Sequence, residues 1–154
     1  SVGDKTTGAS IDPQRRAVAN PYSDSFESIQ KSKNDQGVLK NIKSPDEFIK
    51  TMLPYAEKIA EELGVDPKVL VAQSALETGW GEHTIQDRYG RTAFNLLNMK
   101  ADSRWQGHSV NVPTIEYRDG VAQKESANFR RYDSIGESFD DYLNFIKQPR
   151  YEKA

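Results

Sequence analysis

Residues 69–81 read Val69-Leu-Val-Ala-Gln-Ser-Ala-Leu76-Glu77-Thr78-Gly79-Trp80-Gly81. One acid, Glu77, closes an otherwise greasy segment, and a carboxyl group in such a place is costly unless it has a partner or a task. Asp66-Pro67 just upstream supplies a cap followed by a proline suited to the first helical position. The segment is therefore predicted to be a helix from Pro67 to about Thr78, with Gly79 as its left-handed stop. Apolar residues cover most of it, so it is expected to be the buried central helix. Gln73, Ser74 and Glu77 share its single polar face at offsets of three and four residues. The Gly-Trp-Gly run then predicts an abrupt turn beside a cleft.

Working outward, Ser44-Pro45-Asp46-Glu47 signals an earlier helix start, a capping box with proline at the first position. Phe48, Met52, Tyr55, Ile59 and Leu63 follow at helical spacing. Pro54 is expected to kink or split this helix near Leu53, and Gly64 to stop it. Residues 82–107 read as irregular, with a short helix expected near Glu82 to Asp87. Val110-Asn-Val112 and Thr114-Ile-Glu-Tyr117 alternate like a strand, Arg118-Asp119-Gly120 is a hairpin turn signal, and Val121 to Phe129 returns as the second strand. Ser134-Ile-Gly-Glu137 is a second capping box, and Ile135, Phe139, Tyr142, Leu143 and Ile146 mark an amphipathic last helix ended by Pro149. The fold class is α+β, mainly helical, with a small antiparallel hairpin inserted before the last helix. Residues 1–44 are polar and aperiodic and read as a flexible linker or tail, or as a segment docking through Tyr22 and Phe26, with order beginning at Ser44.

Composition removes several function classes. The 154 residues suit one domain plus extra length. A formal net charge of −2 with interspersed signs argues against a nucleic-acid surface, which needs a basic patch. Cysteine is absent, so no disulfide or thiolate zinc site is possible. No apolar run is long enough to span a bilayer, and Ser1-Val-Gly-Asp-Lys-Thr lacks the apolar core of a secretory signal. The spacing of carboxylates about His83 and His108 does not read as a metal site, and no Gly-x-Ser-x-Gly elbow is present. No metal or cofactor is expected.

The remaining chemistry is that of carboxyl groups and sugars. The negative end of the helix and the apolar neighbours of Glu77 are both expected to favour its neutral acid, which suits a general acid holding its proton for a leaving oxygen. The plain alternative is a surface glutamate paired with a base such as Arg88. A cleft glycosidase needs a second carboxylate, and Glu116 on the first hairpin strand is one candidate, with Glu82, Asp87, Asp102 and Asp119 as rivals. Trp80 is either core or cleft wall, and Trp105 either stacks on a sugar or packs the hairpin. Asn95 and Asn98 offer amide donors and acceptors suited to an amino sugar, or cap a loop.

The stretches Leu70–Gly81 and Phe94-Asn-Leu-Leu-Asn-Met-Lys-Ala101, with the hairpin and Gln148-Pro-Arg-Tyr151 after them, closely resemble the glucosaminidase domain of glycoside hydrolase family seventy-three over residues 45–154. The resemblance implies a lysozyme-like fold: a helical lobe and a β-lobe around a glycan groove. It implies hydrolysis of the β-1,4 bond after N-acetylglucosamine in peptidoglycan, with glycan strands as substrate. Glu77 then matches the family's catalytic acid, Glu116 the acidic position of the β-lobe hairpin, and Tyr151 a site-lining tyrosine. The family's Asn-Leu-Phe-Gly-Ile-Lys segment departs here at Leu97 and Asn98, which puts in question an aromatic sugar contact at 97 and a tight backbone approach at 98. One branch of the family is joined to a half that helps build the flagellar rod. By that resemblance the chain is a linker plus hydrolase piece in the periplasm, with rod proteins as partners of the missing half; a monomer is the default expectation for a groove enzyme on a long polymer. A muramidase or lytic transglycosylase on the same fold, and a non-catalytic glycan-binding or rod-assembly module, remain open alternatives.

Overall fold

The computed structural model describes residues 25–149. Tyr22 and Tyr151 lie outside them. Four helices and one hairpin follow in the order α1 (Phe26–Lys40), α2 (Pro45–Leu63), α3 (Pro67–Thr78), β1 (Ser109–Arg118), β2 (Val121–Arg130) and α4 (Ile135–Lys147). The capping signals act as read. Ser44 Oγ accepts from Glu47 N, Asp66 Oδ1 from Lys68 N and Ser134 Oγ from Glu137 N. Both capping-box glutamates reach one residue further back than the cap, to Lys43 N and Asp133 N. Gly64 and Gly79 end α2 and α3 in the left-handed conformation.

Pro54 does not split α2, which runs unbroken through it. The proline lacks only one donor, and the stripe Phe48, Met52, Ala56 and Ile59 is buried on both sides of it, so packing holds the helix together. That stripe meets Leu70, Val71 and Ala75 of α3 and Ile135 and Phe139 of α4 in one core, with Tyr55 stacked on Phe139 at 6.0 Å. The expectation that α3 is the buried central helix, with one polar face, holds for only one side of it. Val69, Ala72 and Leu76 face outward, and Leu76 is 85% exposed. No helix forms over residues 82–87; a turn leads there to an isolated bridge between Gln86 and Thr92.

The hairpin pairs Val110 with Phe129 and Glu116 with Gln123. Asp119 and Gly120 form its two-residue turn, both at positive φ (53° and 78°), the pattern of a type I′ turn. The segment before it anchors the hairpin to the helices. Arg130 N donates to Met99 O and Ala101 N to Asn128 O.

The start of order is also corrected, because α1 precedes Ser44. Phe26 is exposed. Leu39 packs against the core, and the other ties are polar. Buried Asp35 accepts from Ile135 N at 2.9 Å, placing a carboxylate on the N-terminus of α4, and Ser28 Oγ donates to Asp133. In the same cluster burial pushes Glu137 up to about 7, with Asp133 and Asp140 adding to the rise and Lys31 and the Asp133 N–H opposing it. A carboxyl raised in the folded state binds its proton more tightly there than in the unfolded chain. Its contribution to stability is therefore present at low pH and lost as pH climbs from about 4.5 to about 7. Glu137→Gln keeps the acceptor for Asp133 N and removes the charge. We expect it to raise the thermal midpoint at pH 8 and to flatten this part of the pH dependence, as followed by circular dichroism; an unchanged slope would place the titration elsewhere.

Candidate active site

The end of α3 is tied down before any side chain faces solvent. Ser74 Oγ donates to Leu96 O, Thr78 Oγ1 to Ser74 O, and Gly81 N to Thr78 Oγ1, all within 2.9 Å. Gly79, Trp80 and Gly81 then all take positive φ (58°, 60° and 90°), so the chain reverses within three residues. A Cβ at Gly79 would stand 2.8 Å from the His83 ring, and one at Gly81 3.1 Å from Phe48, which explains glycine at both.

This turn leaves Glu77 exposed at the rim of the helix end. Its surroundings are thus less apolar than the segment suggests, since Leu76 turns away from the core. Among the described residues Glu77 takes part in no ion pair, with Arg88 or otherwise. Its partner is Asn98, whose Nδ2 donates to Glu77 Oε1 at 2.7 Å and to the Glu77 carbonyl at 3.1 Å.

The rival carboxylates are otherwise engaged. Asp87 holds Arg91 and Arg131; burial alone would raise it, but the N–H groups of Arg91 and Tyr89 and the Arg91 guanidinium together keep it below the usual range. Asp102 is held low by the side chain and N–H of Arg104. Asp119 makes the hairpin turn, and exposed Glu82 lies 3.9 Å from the exposed His83 ring. Glu116 is exposed three residues before the hairpin turn. It shares a face with Val110, Val112 and Thr114, the strand's more buried residues, and among the described residues its carboxylate has no hydrogen bond or ion pair.

The aromatic and amide residues separate by burial. Trp80 meets Phe48 edge-on at 5.9 Å and borders an open apolar groove of about 250 Å³ with Ile49, Leu53 and Val71. Trp105 is half-buried; Arg130 sits over its ring at 4.9 Å, Tyr132 packs edge-on, and its Nε1 donates to His108 O. Asn95, expected to meet substrate, is fully buried and turned inward onto backbone groups of Met99 and Arg130. Leu97 is likewise a core residue, so the departure at 97 is one of packing. Asn98 takes φ 52°, the left-handed region that glycine, and after it asparagine and aspartate, enter most readily.

Sequence reasoning missed the buried cluster behind the site. Arg130 joins Asp141 at 2.7 Å, and Tyr132 donates to the same carboxylate, its hydroxyl pushed up by burial and by that charge. A basic residue ending a strand gave no sign of being buried. Among the described residues no group of His, Asp or Glu could hold a metal, and no helix is long and apolar enough to cross a membrane.

Comparison with known proteins gives the family. The model described as "Glucosaminidase: Mannosyl-glycoprotein endo-beta-N-acetylglucosaminidase" matches residues 53–154. Peptidoglycan hydrolase FlgJ of Pseudomonas aeruginosa is 51% identical over 112 residues, 72% of this chain and 28% of that protein. FlgJ of Vibrio parahaemolyticus is 49% identical over 112 residues, 72% of this chain and 36% of that protein. A crystal structure of a peptidoglycan hydrolase mutant from Sphingomonas sp. A1 superposes with a TM-score of 0.60 at 43% identity, covering 69% of each chain. The chain spans about a third of the length of these curated relatives. A helical domain whose third helix ends in Glu77 and a Gly-Trp-Gly reversal, with a two-stranded hairpin before its last helix, thus belongs to the glucosaminidase family.

Proposed function

We propose that this domain hydrolyses peptidoglycan at the β-1,4 bond following N-acetylglucosamine, without a metal or cofactor. The observation that carries the reading is the Glu77 carboxyl, exposed at the end of α3 with Asn98 on one oxygen and, among the described residues, no cation against it. Glu77 protonates the glycosidic oxygen as the bond to the anomeric carbon breaks. Glu116, on the inward face of a hairpin, either takes a proton from the attacking water or steadies positive charge at that carbon; in a third route the substrate's own acetamido oxygen attacks first. Trp80 and Trp105 are proposed as walls of the glycan site, and Tyr151 as a residue lining it. The names of the FlgJ relatives support a place in the periplasm, where the domain opens the wall for the flagellar rod, acting as a monomer on a long polymer.

The deciding experiment digests purified sacculi, reduces the new chain ends with borohydride and identifies the labelled sugar. Reduced N-acetylglucosamine is the expected product. Reduced N-acetylmuramic acid would reassign the domain as a muramidase, 1,6-anhydro ends as a lytic transglycosylase, and no new ends as a non-catalytic module.

A further inference from the structure

We propose that Asn98 is a positioning residue for the Glu77 acid, sorting its two carboxyl oxygens, an inference that rests on Glu77 being the proton donor. The Asn98 amide has two protons, and both go to one residue. One reaches the Glu77 carbonyl in the last turn of α3, where carbonyls lack helical partners. The other reaches Oε1 at 2.7 Å, a short hydrogen bond. Fixing backbone and carboxyl with one amide holds the side chain against its own helix end.

With Oε1 occupied as an acceptor, Oε2 has no partner among the described residues and is the oxygen left to deliver the acid proton to a sugar. The carbonyl assignment of the amide follows from the same contacts, because the Glu77 carbonyl can only accept. This fixes Asn98 Oδ1 in a buried position without a partner among the described residues. Buried unpaired acceptors are uncommon and mark places where another requirement prevails. The backbone supports the assignment. At φ 52° a glycine would fit as well as asparagine, so the fold does not itself require the amide. Where the family pattern has glycine, this chain has a donor aimed at its acid.

The test compares the wild type with Asn98→Gly and Asn98→Asp on soluble, uncrosslinked glycan strands. Both variants keep a residue that tolerates the left-handed backbone, and both lack the donor. A roughly tenfold lower kcat with unchanged KM and an unchanged or higher thermal midpoint is the expected result for glycine, and a larger kcat loss for aspartate, which places a second carboxylate against the first. Full kcat in Asn98→Gly, or a change in KM alone, would overturn the positioning role and return Asn98 to substrate contact. An independent readout is the Asn98 side-chain amide resonance in a ¹⁵N-labelled sample. It should move in Glu77→Gln, where an amide oxygen replaces the carboxyl oxygen as its acceptor. An amide signal indifferent to Glu77→Gln would overturn the contact whether or not the wild type cleaves glycan, and a wild type that releases no new ends would count against the catalytic reading alone.

Discussion

Replacing Glu77 with glutamine is expected to lower the rate of sacculus lysis by about three orders of magnitude, within the range for removing a general acid, while the thermal midpoint stays within a degree or two. The two halves of that result have separate causes. Glutamine keeps the shape of the side chain, and its amide oxygen can still accept from Asn98 Nδ2, so the tie across the end of α3 survives. The residue is exposed, so no core contact is lost. What disappears is the transferable proton, and the leaving sugar oxygen must then depart as an alkoxide. Retained lysis by a folded Glu77→Gln protein would sink Glu77 as the proton donor. Glu116→Gln divides the mechanisms. A loss comparable to that of Glu77→Gln identifies a base acting on water, whereas a loss of only a few-fold leaves the acetamido group as the nucleophile.

The parts of this structure legible in the sequence are those written by local chemistry. Ser44-Pro45, Asp66-Pro67 and Ser134 each fix a helix start through a side-chain oxygen and nearby N–H groups, and Asp119-Gly120 fixes the hairpin through two left-handed residues. None of these depends on residues far along the chain. What was not legible depends on distant partners. Helix α1 leaves Phe26, Ile29 and Val38 exposed and attaches through Asp35 to a backbone N–H a hundred residues away, so no apolar stripe announces it. Pro54 reads as a helix breaker until the core on both sides of it is seen. At the site, Glu77 was evident from its contrast with its neighbours. Asn98 was visible as an amide near a sugar-like motif, but its true partner lies 21 positions earlier, and only the folded turn brings them within hydrogen-bonding distance.

Asn95→Ala should be the most destabilising single change among the predicted site residues, costing roughly 3–5 kcal/mol, because Met99 N and Arg130 O lose their side-chain partner and Met99 O, which keeps Arg130 N, loses one of two donors. The Asn95 amide donates to Met99 O at 2.9 Å and to Arg130 O at 2.8 Å, and its Oδ1 accepts from Met99 N at 2.9 Å. The side chain has no solvent exposure, so water cannot replace these bonds without opening the structure. A buried polar group left unmatched costs about 1–3 kcal/mol, and two together are a large share of the stability of an ordinary domain. The thermal midpoint should fall by roughly 10 °C or more. The site explains why the effect reaches catalysis. Asn95 sews the loop carrying Asn98 to the end of β2, and Ser74 holds the same loop to α3 through Leu96 O. Loosening the loop therefore frees both the hairpin bearing Glu116 and the amide that orients Glu77. Assayed well below its melting temperature, Asn95→Ala should keep an ordinary KM for short glycans, since its amide never touches sugar. A variant with a wild-type midpoint and a raised KM would instead require Asn95 to turn outward and meet substrate, which its three inward hydrogen bonds oppose.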